Sequence, residues 1–245
     1  MITLITYHVN PYFLHGQPLP FQPKNATDWL RTIINRLYNT NKARMKKTGV
    51  QTEILHNHNE LTGKTRTLYP LIIYHYFDNG FYVTGINEGK ETLRELFEPV
   101  NRTIEIDKCF LLKVEQEKEE EVEIKVSDSE HRYILSDWLP MNSDTYKRYQ
   151  MLTLIEKIQF LETQLLKNIT FDFGKILEAD FSGTKVTILS VDDLKRSTLP
   201  YKGHDYQPFS LEFKVNINLP DFITLGNGKA FGYGRISGIR PRKMT

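Results

Sequence analysis

Phe209-Ser210-Leu211-Glu212-Phe213-Lys214-Val215-Asn216-Ile217-Asn218-Leu219 alternates apolar and polar residues without a break. Successive side chains of a strand point to opposite faces, so this spacing predicts a long strand with one buried side. Upstream, Met151, Leu154, Ile158, Leu161 and Leu165 recur at intervals of three and four. That period predicts a helix, capped by Ser143 or Asp144, docking on the sheet that contains the strand. About two heptads are too few for a coiled coil.

The first half reads in the same terms. Ile2 to Val9 is a strand, and Asn25 or Thr27 caps a helix to about Tyr38 with Trp29, Ile33, Ile34 and Leu37 as its apolar stripe. A polar, basic stretch runs from Asn39 to Thr67. Leu71-Ile72-Ile73-Tyr74 and Phe81-Tyr82-Val83 flank Asp78-Asn79-Gly80, which predicts a hairpin. A short helix follows at Glu91 to Phe97 and a strand at Thr103 to Val114. Strand–helix–strand–strand–helix–strand is the ferredoxin-like order. The glutamate-rich run Glu115 to Glu123 reads as a solvated turn between strands. The expectation is an α+β protein of two tandem ferredoxin-like (RRM-like) domains, 1–140 and 141–245, meeting near Leu139-Pro140.

Composition narrows the function. The 245 residues contain one cysteine, Cys109, so no intramolecular disulfide and no cysteine-based zinc cluster can form. The opening MITLITYHVNPYF has no basic region and no small-residue cleavage site, and no apolar run approaches the roughly 18 residues of a membrane span. A cytoplasmic protein with no membrane association is expected. The net charge of +2 conceals an uneven distribution. Residues 24–66 carry nine Lys/Arg against three Asp/Glu, residues 195–245 again nine against three, and residues 67–194 fourteen against twenty-four. Basic ends around an acidic centre suit a polyanionic partner touching both ends.

Past the alternating strand, Leu225-Gly226-Asn227-Gly228-Lys229-Ala230-Phe231-Gly232-Tyr233-Gly234-Arg235 places four glycines within nine residues. Gly226, Gly228, Gly232 and Gly234 permit backbone conformations and close approaches that a Cβ would block. With Lys229, Tyr233 and Arg235 they make a candidate surface for a phosphodiester backbone; a final hairpin laced with glycine is the competing reading. No helix follows, which excludes a Rossmann loop, and no Gly-Lys-Ser/Thr is present for a Walker loop.

This stretch resembles the signature of the RAMP-superfamily endoribonucleases that process CRISPR repeat transcripts. That signature is Gly–apolar–Gly, five residues including a basic one, and a second Gly–apolar–Gly. Leu225-Gly226 fills the end of the first triplet, Asn227 to Phe231 the five residues, and Gly232-Tyr233-Gly234 the second triplet; Thr224 stands where the first glycine is expected. Phe213 to Pro220, Asp137-Trp138-Leu139-Pro140-Met141-Asn142 with Tyr146, and Leu55-His56-Asn57-His58 with Tyr69-Pro70-Leu71-Ile72 resemble one branch of that family.

Of seven histidines, only His56 and His58 form a close pair, and they lie among Lys42, Arg44, Lys46, Lys47, Lys64 and Arg66. In extended backbone, residues i and i+2 share a face. One imidazole can deprotonate a ribose 2′-hydroxyl while an imidazolium protonates the leaving 5′-oxygen. The resemblance implies that reaction, without metal or other cofactor, giving a 2′,3′-cyclic phosphate and a 5′-hydroxyl. It points to His56 and His58 as catalytic residues, with Tyr69, Lys47 and Lys64 in support. It implies CRISPR repeat RNA as the partner, with other effector subunits as further partners. The alternative is a non-catalytic RNA-binding subunit of an effector complex. His-x-His is also a metal-ligand spacing, but no neighbouring Cys or carboxylate cluster completes a site.

Overall fold

A computed structural model describes residues 1–13, 16–18, 23–47, 69–97, 103–107, 110–177, 180–192, 198–201 and 204–239. Contacts divide the chain into two units: Ile2–Glu121 with Ala230–Gly232, and Val122–Lys229 with Tyr233–Thr245 and Met1. The first contains β1 (Ile2–Phe13), α1 (Pro23–Lys47), β2 (Ile72–Phe77), β3 (Gly80–Ile86), α2 (Glu88–Phe97), β4 (Thr103–Asp107) and β5 (Phe110–Val122). Its sheet runs β2-β3-β1-β5-β4. Without the edge strand β4, this is the ferredoxin-like order, with β5 as the last strand beside β1. Ile5, Tyr7 and Val9 of β1 are buried in one cluster with Leu30 and Ile34 of α1 and Leu93 and Leu96 of α2. Asp78 and Asn79 adopt φ of 49° and 58°, as a two-residue type I′ hairpin requires, and the strands close at Phe77↔Gly80.

The second unit contains β6 (Val126–Trp138), α3 (Ser143–Gln150), α4 (Leu154–Leu177), β7 (Val186–Asp192), β8 (Leu199–Tyr201), β9 (His204–Tyr206), β10 (Phe209–Ile217) and β11 (Arg235–Gly238). The order β11-β6-β10-β7 is again ferredoxin-like, with β8-β9 as a separate inserted hairpin. β10 is central, pairing Phe213 with Tyr133 of β6 and Ile188 of β7. Phe209, Leu211, Phe213, Val215 and Ile217 are buried, as alternation predicts. On the opposite face Arg132 pairs with Glu212, and Lys214 with Glu130 at 3.1 Å.

Several expectations are corrected. The sequence places the boundary at residue 140, but the contacts divide at Glu121/Val122, because β6 hydrogen-bonds to β10 and β11 and carries Trp138 into the second unit. Helix α1 runs nine residues past Tyr38, taking Lys42, Arg44, Lys46 and Lys47 out of the expected polar stretch. Ala, Met, Arg and Lys are good helix formers, and cations suit a helix C-terminus. The single strand expected at Thr103 to Val114 is the β4–β5 hairpin. The acidic run is strand through Val122 rather than a turn, and Glu119 pairs with Lys90 at 2.8 Å and Arg94 at 2.6 Å from α2. The helix expected from Ser143 onward is two helices. Asn142, not Ser143, caps α3 by accepting from the Thr145 amide. Thr153 starts α4 in a capping box, its amide donating to Glu156 Oε2 at 2.8 Å and the Glu156 amide to Thr153 Oγ1 at 3.4 Å. Met151 and Leu154 consequently lie outside the core at 87% and 76% exposure, and the buried stripe is Leu161, Leu165, Ile169 and Phe173.

That shift is measurable. Leu165→Ala should destabilise the protein by about 2–5 kcal/mol, and Met151→Ala should stay within about 0.5 kcal/mol, in denaturant unfolding. A second expectation concerns pH. Burial holds the His8 imidazole below its ordinary 6.5, with Glu115 opposing. The unfolded chain therefore binds the proton first, so the contribution of neutral His8 is present above pH 6.5 and is lost as pH falls through the native pKa. His8→Phe should flatten that part of the stability–pH curve, and the His8 ring should titrate below 6.5 by NMR.

Candidate functional site

Between β10 and β11 a ferredoxin-like unit ordinarily carries its second helix; here residues 218–234 take its place, with one 3-10 turn at Lys229–Phe231. The segment is tied down by its own backbone. Leu225 N donates to Gly234 O at 2.9 Å, Asn227 N to Leu139 O at 3.0 Å, and Gly234 N to Asp137 O at 3.0 Å.

The four glycines all have positive φ, and each is hemmed in. A Cβ on Gly226 would lie 2.6 Å from Trp138 Nε1, and one on Gly234 2.0 Å from Leu225 O. On Gly228 it would meet the Tyr233 ring at 2.5 Å. Gly232 groups with the first unit, and a Cβ there would fall 2.4 Å from Tyr74 O and 3.0 Å from His75 Nδ1. Thr224, at the place of the expected first glycine, needs no such freedom. It has no positive φ and is fully buried, and its Oγ1 donates to Lys229 O at 3.1 Å.

The charged members of the segment have partners too. Lys229 Nζ lies 2.8 Å from Oδ1 of Asp172, a carboxylate only 4% exposed on α4. Arg235 opens β11 opposite Ser136 and donates through Nη1 to Ser237 Oγ at 2.7 Å. The Tyr233 ring is half-buried and meets Tyr201 edge-on at 6.4 Å. Tyr69 is buried just ahead of β2. Lys47 is the last residue of α1. His56, His58 and Lys64 lie outside the described residues. The structure thus brings the glycine-segment residues together in one run, while the histidine pair's geometry is not part of it.

Sequence reading missed two participants, Arg31 and Asp172, and the contact that Trp138 makes. The Arg31 guanidinium sits 4.6 Å from the Phe231 ring centroid, a cation–π contact within the first unit. Asp172 was legible in principle, since an acidic residue falls seven positions after Leu165 on an otherwise apolar stripe. Trp138 closes over Gly226 and donates through Nε1 to Asn168 Oδ1 at 3.1 Å. Among the described residues no group of three or more His, Cys, Asp or Glu is placed to hold a metal ion.

Removing either glycine constraint should be costly. Gly234→Ala forces both left-handed strain and a backbone clash, so it should destabilise by more than about 1 kcal/mol, as should Gly226→Ala. Asp172→Ala removes the carboxylate 2.8 Å from Lys229 Nζ and should cost about 1–3 kcal/mol, less than in a fully buried pair because Lys229 is partly exposed. Chemical denaturation with unchanged m-value reads each.

Comparison with known proteins agrees with this architecture. Residues 36–123 match the family model of the Cas6b N-terminal domain, and residues 125–239 that of the Cas6b C-terminal domain. An uncharacterized protein of Methanocaldococcus jannaschii, MJ0978, is 28% identical over 116 residues, 46% of this chain and 76% of that relative. A crystal structure of Cas6b superposes with TM-score 0.68 at 18% identity over 97% of this chain and 100% of the other. A second, described as the CRISPR RNA processing endoribonuclease Cas6b, gives 0.63 at 16% identity with the same coverages of 97% and 100%. At these identities the solved structures speak for the fold, and the two matched domain models, spanning most of the sequence on either side of β6's start, settle the kinship: this chain belongs to the Cas6b family.

Proposed function

We propose that the chain is a metal-independent endoribonuclease that cuts CRISPR repeat RNA to generate guide RNAs. The observation that carries the reading is the match of both Cas6b domains in order across residues 36–239. The sequence supplies the means: His56 and His58 follow the lysine-rich end of α1, and the stretch that carries them ends at the buried Tyr69.

One imidazole of the pair takes the proton of the ribose 2′-hydroxyl, and the 2′-oxygen attacks phosphorus. The bond from phosphorus to the 5′-oxygen breaks, and the other imidazole, as imidazolium, protonates the departing oxygen. The products are a 2′,3′-cyclic phosphate and a 5′-hydroxyl. Lys47 and Lys64 stabilise charge on the phosphate, and Tyr69 supports the pair. Because the nucleophile belongs to the substrate, no metal-bound water is required.

RNA contact by Gly226, Gly228, Lys229, Gly232, Tyr233, Gly234 and Arg235 is the second part of the reading. The amides of Leu225, Asn227 and Gly234 already donate to the carbonyls of Gly234, Leu139 and Asp137, and Lys229 would have to share its charge between Asp172 and a phosphate. Arg235→Ala should weaken binding across many RNA sequences and lower the salt dependence of affinity.

His56→Ala and His58→Ala should each lower single-turnover cleavage of the host's repeat RNA by about 10²–10⁴-fold with RNA affinity largely intact. Cleavage should persist in excess chelator. A 2′-deoxy substitution immediately upstream of the cut should abolish it while leaving the complex intact. Normal cutting of the deoxy substrate would refute the mechanism, and a wild-type protein that binds repeat RNA without cutting it would be a non-catalytic subunit.

A further inference from the structure

Two recesses of the second unit share a wall. The larger, about 920 Å³ and open to solvent, is bounded by the start of α4, the outer part of β7 and the start of β10; Leu154, Ile158 and Phe209 line it with Lys157 and Asp192. The smaller, about 180 Å³, is lined in part by Lys147, Asp205 and Tyr206. Tyr146 and Gln207 line both. The Tyr146 ring is half-buried, stacks on Tyr149 at 6.1 Å and 20°, and meets Phe209 edge-on at 6.4 Å. Tyr149 is itself fixed by Phe209 at 5.5 Å and Phe160 at 5.7 Å, with Lys157 Nζ 5.6 Å from its ring centroid.

The chemistry of the walls selects an occupant. β7 is an edge strand, but it does not invite an added strand. Its pairing passes from Ser190↔Glu212 to Ile188↔Phe213, leaving Leu189 as an extra, bulged residue. The Ile188 amide already donates to Glu162 Oε1 at 2.9 Å. An apolar helix would look for apolar walls, whereas these mix aromatic surface with Lys157, Asp192, Asp205 and Gln207. Of the exposed apolar residues at the adjacent corner, Leu154 lines the larger recess, while Met151 and Ile155, at 87% and 71%, lie outside both linings.

Planar rings with donors and acceptors at their edges fit better. Aromatic surface takes the ring face, carboxylate and carboxamide groups take exocyclic amines and ring nitrogens, and lysines take the connecting phosphate. Lys147 is available for that task, since its pairing with Asp144 is long, 3.5 Å, and both side chains are more than 70% exposed.

We infer that the paired recesses bind two consecutive nucleotides of single-stranded RNA, one base on each side of the wall formed by Tyr146 and Gln207, with Lys147 and Lys157 at the phosphates. The inference rests on the RNA-processing reading above and adds a contact region that shares no residue with the glycine segment or the histidine pair.

The test uses the full chain and its host's repeat RNA, blocked by the 2′-deoxy substitution and carrying 5-iodouridine for photo-crosslinking. Tyr146→Ala should weaken binding by about 10-fold, the range for loss of one stacked base, and Tyr146→Phe should restore it. Lys147→Ala, an exposed change with no bearing on folding, should reduce the slope of log affinity against log salt by about 1. Crosslinked peptides should include Tyr146 or Tyr149. Wild-type affinity in Tyr146→Ala and an unchanged salt slope in Lys147→Ala, with intact thermal melts, overturn the inference while leaving the endoribonuclease reading standing. So does a Tyr146→Ala protein that loses self-association in sedimentation yet keeps its RNA affinity, which would make the recess a protein-binding surface. A wild-type protein that binds no repeat RNA removes both.

Discussion

Around Gly226, Gly232 and Gly234 there is no volume for a Cβ, and the segment that carries them is arranged about that constraint. A Cβ at Gly234 would sit 2.0 Å from a carbonyl oxygen, and one at Gly232 would sit 2.4 Å from another. These are backbone atoms held in sheets or in the segment's own hydrogen bonds, so they cannot swing aside as a flexible side chain would. The left-handed φ at all four glycines adds a second reason, because side-chain-bearing residues pay strain there. The spacing of glycines along residues 226–234 therefore records where backbone passes close to backbone or to a ring.

Polar groups fix what the glycines permit. Replacing the second helix of a ferredoxin-like unit by irregular chain exposes backbone groups that a helix would have satisfied internally. Here they are taken up by Asp137 and Leu139 at the end of β6 and by the segment itself. Lys229 reaches the buried carboxylate of Asp172, and Trp138, hydrogen-bonded to Asn168, closes over Gly226. A segment held this way offers a preformed surface, which lowers the ordering cost of any ligand it meets.

The first unit is anchored in a different manner. Helix α1 is held in the core cluster through Leu30, Ile34 and Tyr38, and Tyr69 is buried just ahead of β2. The aromatic recess of the second unit rests on the same logic. Helix α3 ends at Gln150 with Met151 as its C-cap, the capping box at Thr153 starts α4, and Tyr146 and Tyr149 pack against Phe209 of β10.

The alternation at Phe209 to Leu219, the Asp78-Asn79 hairpin and the strand–helix order determined the two ferredoxin-like sheets, because a period of two or 3.6 fixes which face is buried whatever the neighbours are. The resemblance carried by the glycine segment, Trp138 and the histidine pair placed the chain in its family. The sequence did not determine where elements stop. The extent of α1, the strand character of the acidic run and the division at Glu121/Val122 depend on partners far along the chain: Glu119 with α2, β6 with β10 and β11. Nor could it tell that Lys229 faces a carboxylate, since Asp172 lies 57 residues away and only folding brings the two charges to 2.8 Å. The tertiary structure alone decided which polar residues hold the fold and which face solvent, because burial and pairing are properties of neighbours in space and not of neighbours in sequence.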